Sequence, residues 1–455
     1  MSERLGFREV LAMGIGGVVG GGIFAVLGVA ARIAGNAAFI SYFLSGLIAL
    51  ASGYSYVRMT SHLEEDGGSF TFLEHYVSNK NIAGMVSWVL IVGYIGTMAM
   101  YAYAFGSFSA RMLGIGAHTV VRGLISIGIL GLFVGVNLIG VQKTGESEDL
   151  LVYGKVAILL LFGGAGLWAL LSGPGPGLLP GGLFNRGPVS PIVGIGTIFV
   201  SFQGWELLTY EYSEMEGGTE TLKRGVMWTI GISTLLYVMT AILTTSLVPT
   251  PMIIKHKETV LAFAAAKIFK SHIMRDLAGI LVSVAALFST ASAINATLFG
   301  TARFTHKMAT ENELPELFSF RNKKDIPSRS LIIIGLITAL FTYLGTLEGI
   351  TTFASLSFVM IFGTVNYVCL RDPDVDVNGI VPLTGLLGTA SVLILEVWHL
   401  WTTEFHMLVF ITGIFGVLFL LEFLYFEREE IEEEVATEVQ KVEEEVEEEL
   451  GEEDQ

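Results

Sequence analysis

The sequence predicts an all-α polytopic membrane protein, and three observations carry that expectation. Hydrophobic residues make up 52% of the 455 positions, and the mean hydropathy is +0.64. Only 15% of residues are charged, against roughly 25% in a soluble globular domain. The apolar residues also fall into runs of about 20, the length a helix needs to cross a bilayer core. On that measure twelve spans are expected, near residues 10–34, 37–60, 82–112, 121–141, 149–171, 191–212, 225–248, 273–304, 329–347, 350–370, 379–399 and 404–426.

The first span holds Gly14, Gly16 and Gly17, then the triplet Gly20-Gly21-Gly22. Interior glycine costs a helix about 1 kcal/mol relative to alanine. Small residues let membrane helices approach closely, a reading that suits Gly14 and Gly17. The consecutive triplet reads instead as a break. Irregular backbone at membrane depth survives only where it is buried in protein or lines a wet cavity, so a break there points to a binding site. The sixth span, Pro191 to Tyr212, is its counterpart, with Ser201, Gln203, Gly204 and Glu206 at its centre. Two interrupted spans, one opening each half of the chain, match the pattern of inverted-repeat transporters. Half-helix N-termini favour a negative group, and unwound carbonyls favour a positive one. An amino acid carries both charges.

The fifth span contains Lys155 in the run LLVYGKVAILLLF. A lysine in hydrocarbon costs about 2.5–3.5 kcal/mol on insertion scales. It lies roughly 10 Å from the span's start at Asp149, at 1.5 Å per residue. Two roles fit: snorkelling to the interface, or a buried ammonium that fills a cation site and whose pKa burial would lower. Glu206 likewise reads either as a cap on free backbone N–H groups or as a gating or proton-linked carboxylate. Glu396 and His399 sit at a span end and are expected to be interfacial.

Between the spans, Gly173 to Pro191 is proline- and glycine-rich and reads as an ordered outer linker or a disordered connector. In the stretch from Pro249 to Lys270, Val260 to Phe269 is expected to form a short surface helix. Arg4, Arg8, Lys223, Arg224, Arg321, Lys323, Lys324 and Arg329 enrich one set of loops in positive charge, which favours both termini inside the cell. Of the net charge of −17, residues Glu427 to Gln455 carry −14. Ile431, Val435, Val439, Val442, Val446 and Leu450 form one apolar stripe on this acidic tail. It reads as a solvated tail, or as a helix that binds an unknown protein partner or self-associates. No short apolar segment with a cleavage site precedes the first span, so no removable signal peptide is expected.

Several classes of chemistry are disfavoured. Cys369 stands alone, and the eight histidines include no pair at helical ligand spacing, so neither a disulfide nor a metal site is expected. Gly20-x-Gly22-x-x-Ala25 and Gly164-x-Gly166-x-x-Ala169 mimic a dinucleotide fingerprint, yet neither follows a strand, and 54 glycines yield such matches by chance. No nucleophile–base pair or phosphate loop is evident, so an enzyme, a cofactor and a nucleic-acid partner are not expected.

Five motifs, in order, carry a resemblance. They are Gly20-Gly21-Gly22-Ile23-Phe24; Asp66-Gly67-Gly68-Ser69-Phe70-Thr71-Phe72 with Trp88; and Asn137-Leu138-Ile139-Gly140-Val141 with Lys143 and Gly145. Next come Phe202-Gln203-Gly204-Trp205-Glu206, and Ser292, Asn295, Arg303, Met308, Ala309, Leu314 and Pro315. Over residues 7 to 371 the chain resembles the amino acid–polyamine–organocation transporters, which share the leucine-transporter fold. The resemblance implies a 5+5 inverted repeat with discontinuous helices 1 and 6, followed by two extra helices. It divides the chain into a cytoplasmic N-terminus (1–9), a first repeat (10–171), an outer linker (172–190), a second repeat (191–370), two helices (371–426) and the acidic tail (427–455).

Roles follow from the resemblance. Backbone N–H groups around Gly20, Gly21 and Gly22 would bind a substrate carboxylate, with carbonyls near Val18, Val200 and Gln203 taking its amino group beside Ser201 and Gly204. Lys155 falls where proton-coupled members carry a lysine in place of sodium, reaching the backbone near Gly17 and the hydroxyl of Ser289 or Ser292. Specificity would come from Tyr94, Met98, Gln203, Trp205 and Asn295. One departure is Ala309-Thr310-Glu311-Asn312, where the family has Ala-Arg-Asp-Gly. Nothing acidic beyond Glu206 is evident near the pocket, so a neutral substrate is favoured. The expected activity is proton-coupled amino acid import across the plasma membrane by alternating access; an exchanger without proton coupling and a substrate sensor are the alternatives.

Overall fold

The structure, a computed structural model, describes residues 4–76, 80–115, 119–140, 145–172, 177–311, 314–420 and 422–423. Among them every regular element is helical, apart from an isolated bridge between Leu5 and Met215. Among the described residues nine helical stretches are long and apolar enough to cross a membrane, and Ser328–Leu344 and Phe405–Leu420 are shorter apolar helices. The acidic tail, Val141, Lys143 and Asn312 lie outside the described residues.

The first span is two helices, α1 (Phe7–Val18) and α2 (Gly22–Ala34), separated at the glycine triplet. α3 (Ala38–Leu63) returns, and the short α4 (Ser69–Tyr76) precedes α5 (Lys80–Met112), α6 (Thr119–Ile139) and α7 (Gly145–Ser172). The sixth span begins as α8 (Ser190–Ile198), tightens to 3₁₀ geometry over Phe199–Phe202, opens at Gln203 and Gly204, and resumes as 3₁₀ helix over Trp205–Glu214. α9 (Thr219–Leu247), α10 (Thr250–Lys255), α11 (Val260–Ile268), α12 (His272–Thr310), α13 (Ser328–Leu344), α14 (Leu347–Arg371), α15 (Ile380–Thr403) and α16 (Phe405–Leu420) complete the chain.

Packing follows residue size and polarity. The interrupted spans sit in the centre, α1 against α9 and α7, α2 against α8, while α5 crosses both α12 and α14. Trp205, the largest fully buried side chain, packs edge-on to Tyr56 and tilts against Phe362, each ring 5.0 Å away. Leu124, Leu132, Leu161, Trp168 and Trp401 are exposed, as expected of lipid-facing surface.

The Gly173–Pro191 segment is ordered where it is described. The Asn36 side-chain amide donates to the carbonyls of Pro180 and Gly182, at 2.8 Å each. The helix expected on the surface at Val260–Phe269 forms as α11, but Val260, Leu261, Ala262, Ala264 and Ala265 are buried. Its apolar face packs on α12 and α2, so it closes one end of the bundle. Glu396 departs further from expectation. It is 1% exposed, with Thr197 of α8 donating to it at 3.4 Å. The span runs on to Thr403, which leaves Glu396 two turns inside the helix. His399, one turn further on, is half-buried.

Candidate functional site

The two interruptions touch. Gly204 adopts φ +110°, a conformation L side chains rarely take. A Cβ at Gly204 would stand 2.7 Å from the carbonyl carbon of Gly17, and one on Gly17 would stand 2.8 Å from the carbonyl oxygen of Gly204. The backbones therefore cross without side chains between them. The close-packing reading of Gly14 and Gly17 holds in this geometry, since a methyl on Gly14 would meet Thr229. The triplet is where the helix breaks, and the leading N–H groups of α2 have no partner within the helix.

Tyr237 of α9 ties the two breaks together. Its hydroxyl lies 2.7 Å from the Val18 carbonyl and 3.1 Å from that of Ser201, donating to both. Ser289 of α12 donates to the Val19 carbonyl at 3.1 Å. The Val200 N–H donates to Ser355 Oγ at 2.9 Å, and the Val200 carbonyl receives the Gln203 N–H at 3.3 Å. Gln203 Nε2 donates to the Tyr101 hydroxyl at 2.9 Å. Glu206 accepts the Gly204 N–H at 2.6 Å through one oxygen and faces the Tyr94 hydroxyl at 3.5 Å with the other. Glu206 thereby reaches back to the N–H of Gly204, the residue that precedes the resumed helix, as the acidic member of a capping box does.

Lys155 is buried, at 6% exposed, and its ammonium donates to the Gly16 carbonyl at 2.8 Å. The sequence placed its reach near Gly17, one residue on. Ser292 is half-buried one turn from Ser289. Asn295 lies apart from the breaks, its side-chain oxygen receiving a 2.9 Å hydrogen bond from Asn137.

A cavity of about 920 Å³ opens on the side of the chain's N-terminus. Its wall includes Asn295, Tyr94, Leu207 and Met13, with Asp66, Glu211, Arg303 and Lys307 nearer the rim. Of the expected binding residues only Asn295 and Tyr94 line it. Val18, Gly20, Gly21, Gly22, Val200, Ser201, Gln203, Gly204, Trp205 and Met98 are buried and do not line it. At the opposite end, Arg32 of α2 and Glu348 of α14 form an ion pair, and the Lys257 carbonyl rests against Gly28 of α2.

Tyr101, Tyr237 and Ser355 contact the breaks without having been singled out in the sequence. Each lies within an unbroken apolar helix, so no local signal marks it. Their polar tips are visible only once the breaks that need them are assembled.

Residues 5–434 match the family model described as amino acid permease. The chain belongs to this family. Through it the permease is a member of the amino acid–polyamine–organocation superfamily, a multi-pass membrane protein and an amino acid transporter. It is 28% identical to the inner membrane transport protein YbaT of Escherichia coli over 419 residues, covering 90% of this chain and 94% of the other. A methylthioribose transporter of Bacillus subtilis is 23% identical, with 86% of each chain covered. Cationic amino acid transporter 3 of Arabidopsis thaliana is 22% identical over 80% of this chain and 61% of its own.

Proposed function

We propose that this permease imports a neutral amino acid together with protons, by alternating access. The observation that carries the reading is the buried Lys155 ammonium, which donates to the Gly16 carbonyl in the inner half of the first span. The Gly16 carbonyl holds the ammonium at α1 while the lysine is protonated. Loss of the proton weakens the grip on α1 and frees that half-helix to move. A proton is thereby linked to the shape of the break.

The substrate carboxylate is assigned to the N–H groups around Gly20, Gly21 and Gly22, where the dipole of α2 favours negative charge. Its ammonium is assigned to the carbonyls near Val18, Val200 and Gln203, beside Ser201, Gly204 and Trp205. Ser289 and Ser292 are assigned with Lys155 and Gly17 to coupling. Access comes from a cavity open at one end while Arg32 and Glu348 pair at the other, an arrangement that supports opening of one side at a time. The neutral preference rests on Glu206, the acidic residue at the breaks, being engaged by Gly204 and Tyr94. Twelve spans in a 5+5 repeat plus two follow if α1 and α2 form span one and α8 with the 3₁₀ segments forms span six. The positive loops put both termini in the cytoplasm of a plasma-membrane protein.

Uptake of amino acids into proteoliposomes under an imposed pH gradient tests this. Wild type accumulates substrate when the gradient is present, and Lys155→Ala binds substrate without gradient-driven accumulation. Full accumulation by Lys155→Ala, or a requirement for sodium, refutes proton coupling through this residue. Uptake only when substrate is also supplied inside identifies an exchanger instead.

A further inference from the structure

We propose that His62, His75 and Asp372 form a binding site for a divalent transition-metal ion of the zinc class, at the end of the bundle where the cavity opens. One ligand atom from each residue lies within 4.8 Å of the other two. The three come from different elements: His62 from the last turn of α3, His75 from the last turn of α4, and Asp372 from the residue that ends α14. Sequence spacing conceals them, because the histidines are thirteen positions apart and Asp372 belongs to a distant segment of the chain.

The donors suit such an ion. Two imidazoles and one carboxylate, with a fourth position open to water, are a recurrent zinc set, whereas calcium and magnesium prefer oxygen ligands alone. Asp372 is buried, its N–H bonds the Val368 carbonyl at 2.9 Å, and one carboxylate oxygen accepts the Asp374 N–H at 3.0 Å. The carboxylate is therefore fixed. The imidazoles are exposed, edge to face with centroids 6.2 Å apart. Ligand atoms around zinc stand about 3.3 Å apart, from bonds of about 2.0–2.1 Å in a tetrahedron. Small rotamer changes in two exposed side chains close the remaining gap.

The site's position gives it a consequence that rests on the alternating-access reading. Phe70 and Thr71 of α4 line the cavity. The turn before α4 is bonded to the inner half of the sixth span: Gly67 N–H donates to the Thr209 carbonyl at 3.2 Å, and Asp66 accepts the Ser213 N–H at 2.6 Å. A metal joining α3 and α4 to α14 pins that assembly with the cavity open, and so slows transport.

The test uses purified full-length protein stripped with a chelator, with thermal unfolding followed against added Zn²⁺ and with Co²⁺ as an absorbance probe. Wild type is expected to show a saturable rise of several degrees at micromolar Zn²⁺ and one tetrahedral Co²⁺ per chain. His62→Ala/His75→Ala is expected to lose both while keeping the wild-type midpoint without metal, because both side chains are exposed. No Zn²⁺ response in wild type, or an equal response in the double variant, overturns the site. In proteoliposomes, Zn²⁺ on the cavity side should slow uptake by wild type only. Metal binding without slowed uptake overturns the clamp and leaves the site standing.

Discussion

Gly204→Ala is the substitution most exposed to the geometry of the crossing. Two costs add. The residue sits at φ +110°, and holding a non-glycine residue in such a region costs on the order of 1–3 kcal/mol. The new Cβ also stands 2.7 Å from the Gly17 carbonyl carbon and 3.1 Å from the Val18 nitrogen. Both are backbone atoms, so relief requires shifting one interrupted span against the other, and overpacking of this kind costs typically about 1–3 kcal/mol. The sum, about 2–6 kcal/mol, is a large share of the roughly 5–15 kcal/mol that holds a domain folded. Gly17→Ala lies within a helix and meets the overpacking cost alone, so its loss should be smaller. Gly128→Ala in α6, where no atom lies within 4 Å of the added methyl, should be neutral or stabilising by about 0.4–1 kcal/mol. Unfolding of the three variants in detergent, followed by tryptophan fluorescence, ranks them, and amino acid uptake should fall in the same order. If Gly204→Ala matches Gly128→Ala in both measurements, the backbone crossing does not limit the structure and the reasoning is wrong.

Tyr237→Phe removes a hydroxyl shared by the two breaks and leaves the Val18 and Ser201 carbonyls short of a donor, at a cost of about 1–3 kcal/mol in stability; unchanged unfolding would exclude the tie. Glu206→Gln keeps an oxygen for the Gly204 N–H and should retain most substrate binding by isothermal calorimetry, whereas Glu206→Leu should lose at least tenfold, and equal loss in both would favour a charge-dependent role over capping. Glu396→Gln should be at least as stable as wild type, since a buried carboxylate in a membrane helix is costly while an amide still accepts from Thr197; a fall in the unfolding midpoint would argue that the charge itself is needed.

Much of the fold was legible because a bilayer enforces a simple rule, about 20 apolar residues per crossing. Gly20-Gly21-Gly22 identified one break in advance, and Gln203-Gly204 in a polar-centred span identified the other. What hydropathy does not encode is which face of a helix turns inward. Glu396 near the end of an apolar run looked interfacial, but its helix continues to Thr403 and the residue faces Thr197. α11 was expected on the surface, in the stretch from Pro249 to Lys270, yet its buried alanines and valine are covered by α2 and α12. Lys155 was legible as a costly residue, while its partner, the Gly16 carbonyl, depends on α7 packing against α1. His62, His75 and Asp372 were illegible for the same reason, since only tertiary packing brings three distant chain segments to one point.

The contacts around the breaks divide the centre into a cavity-side part and a far-side part. On the cavity side, Leu5 exchanges two backbone hydrogen bonds of 2.8 Å with Glu214 and Glu216, and Gly17 lies on Gly204. The cavity-side halves of both interrupted spans are thereby joined at each end. On the far side, α2 is fixed against α8 and capped by the segment around Lys257. The junction between the two regions is the unwound backbone, held by side-chain hydrogen bonds from Tyr237 to the Val18 and Ser201 carbonyls and from Ser289 to that of Val19, and Lys155 grips α1 just short of it. Each such bond is worth only about 1 kcal/mol net, or up to about 3 for a charged donor. On the proposed reading, a substrate ammonium that bonds the same carbonyl groups competes on equal terms with them, so substrate binding and movement of these half-helices would draw on one small set of interactions.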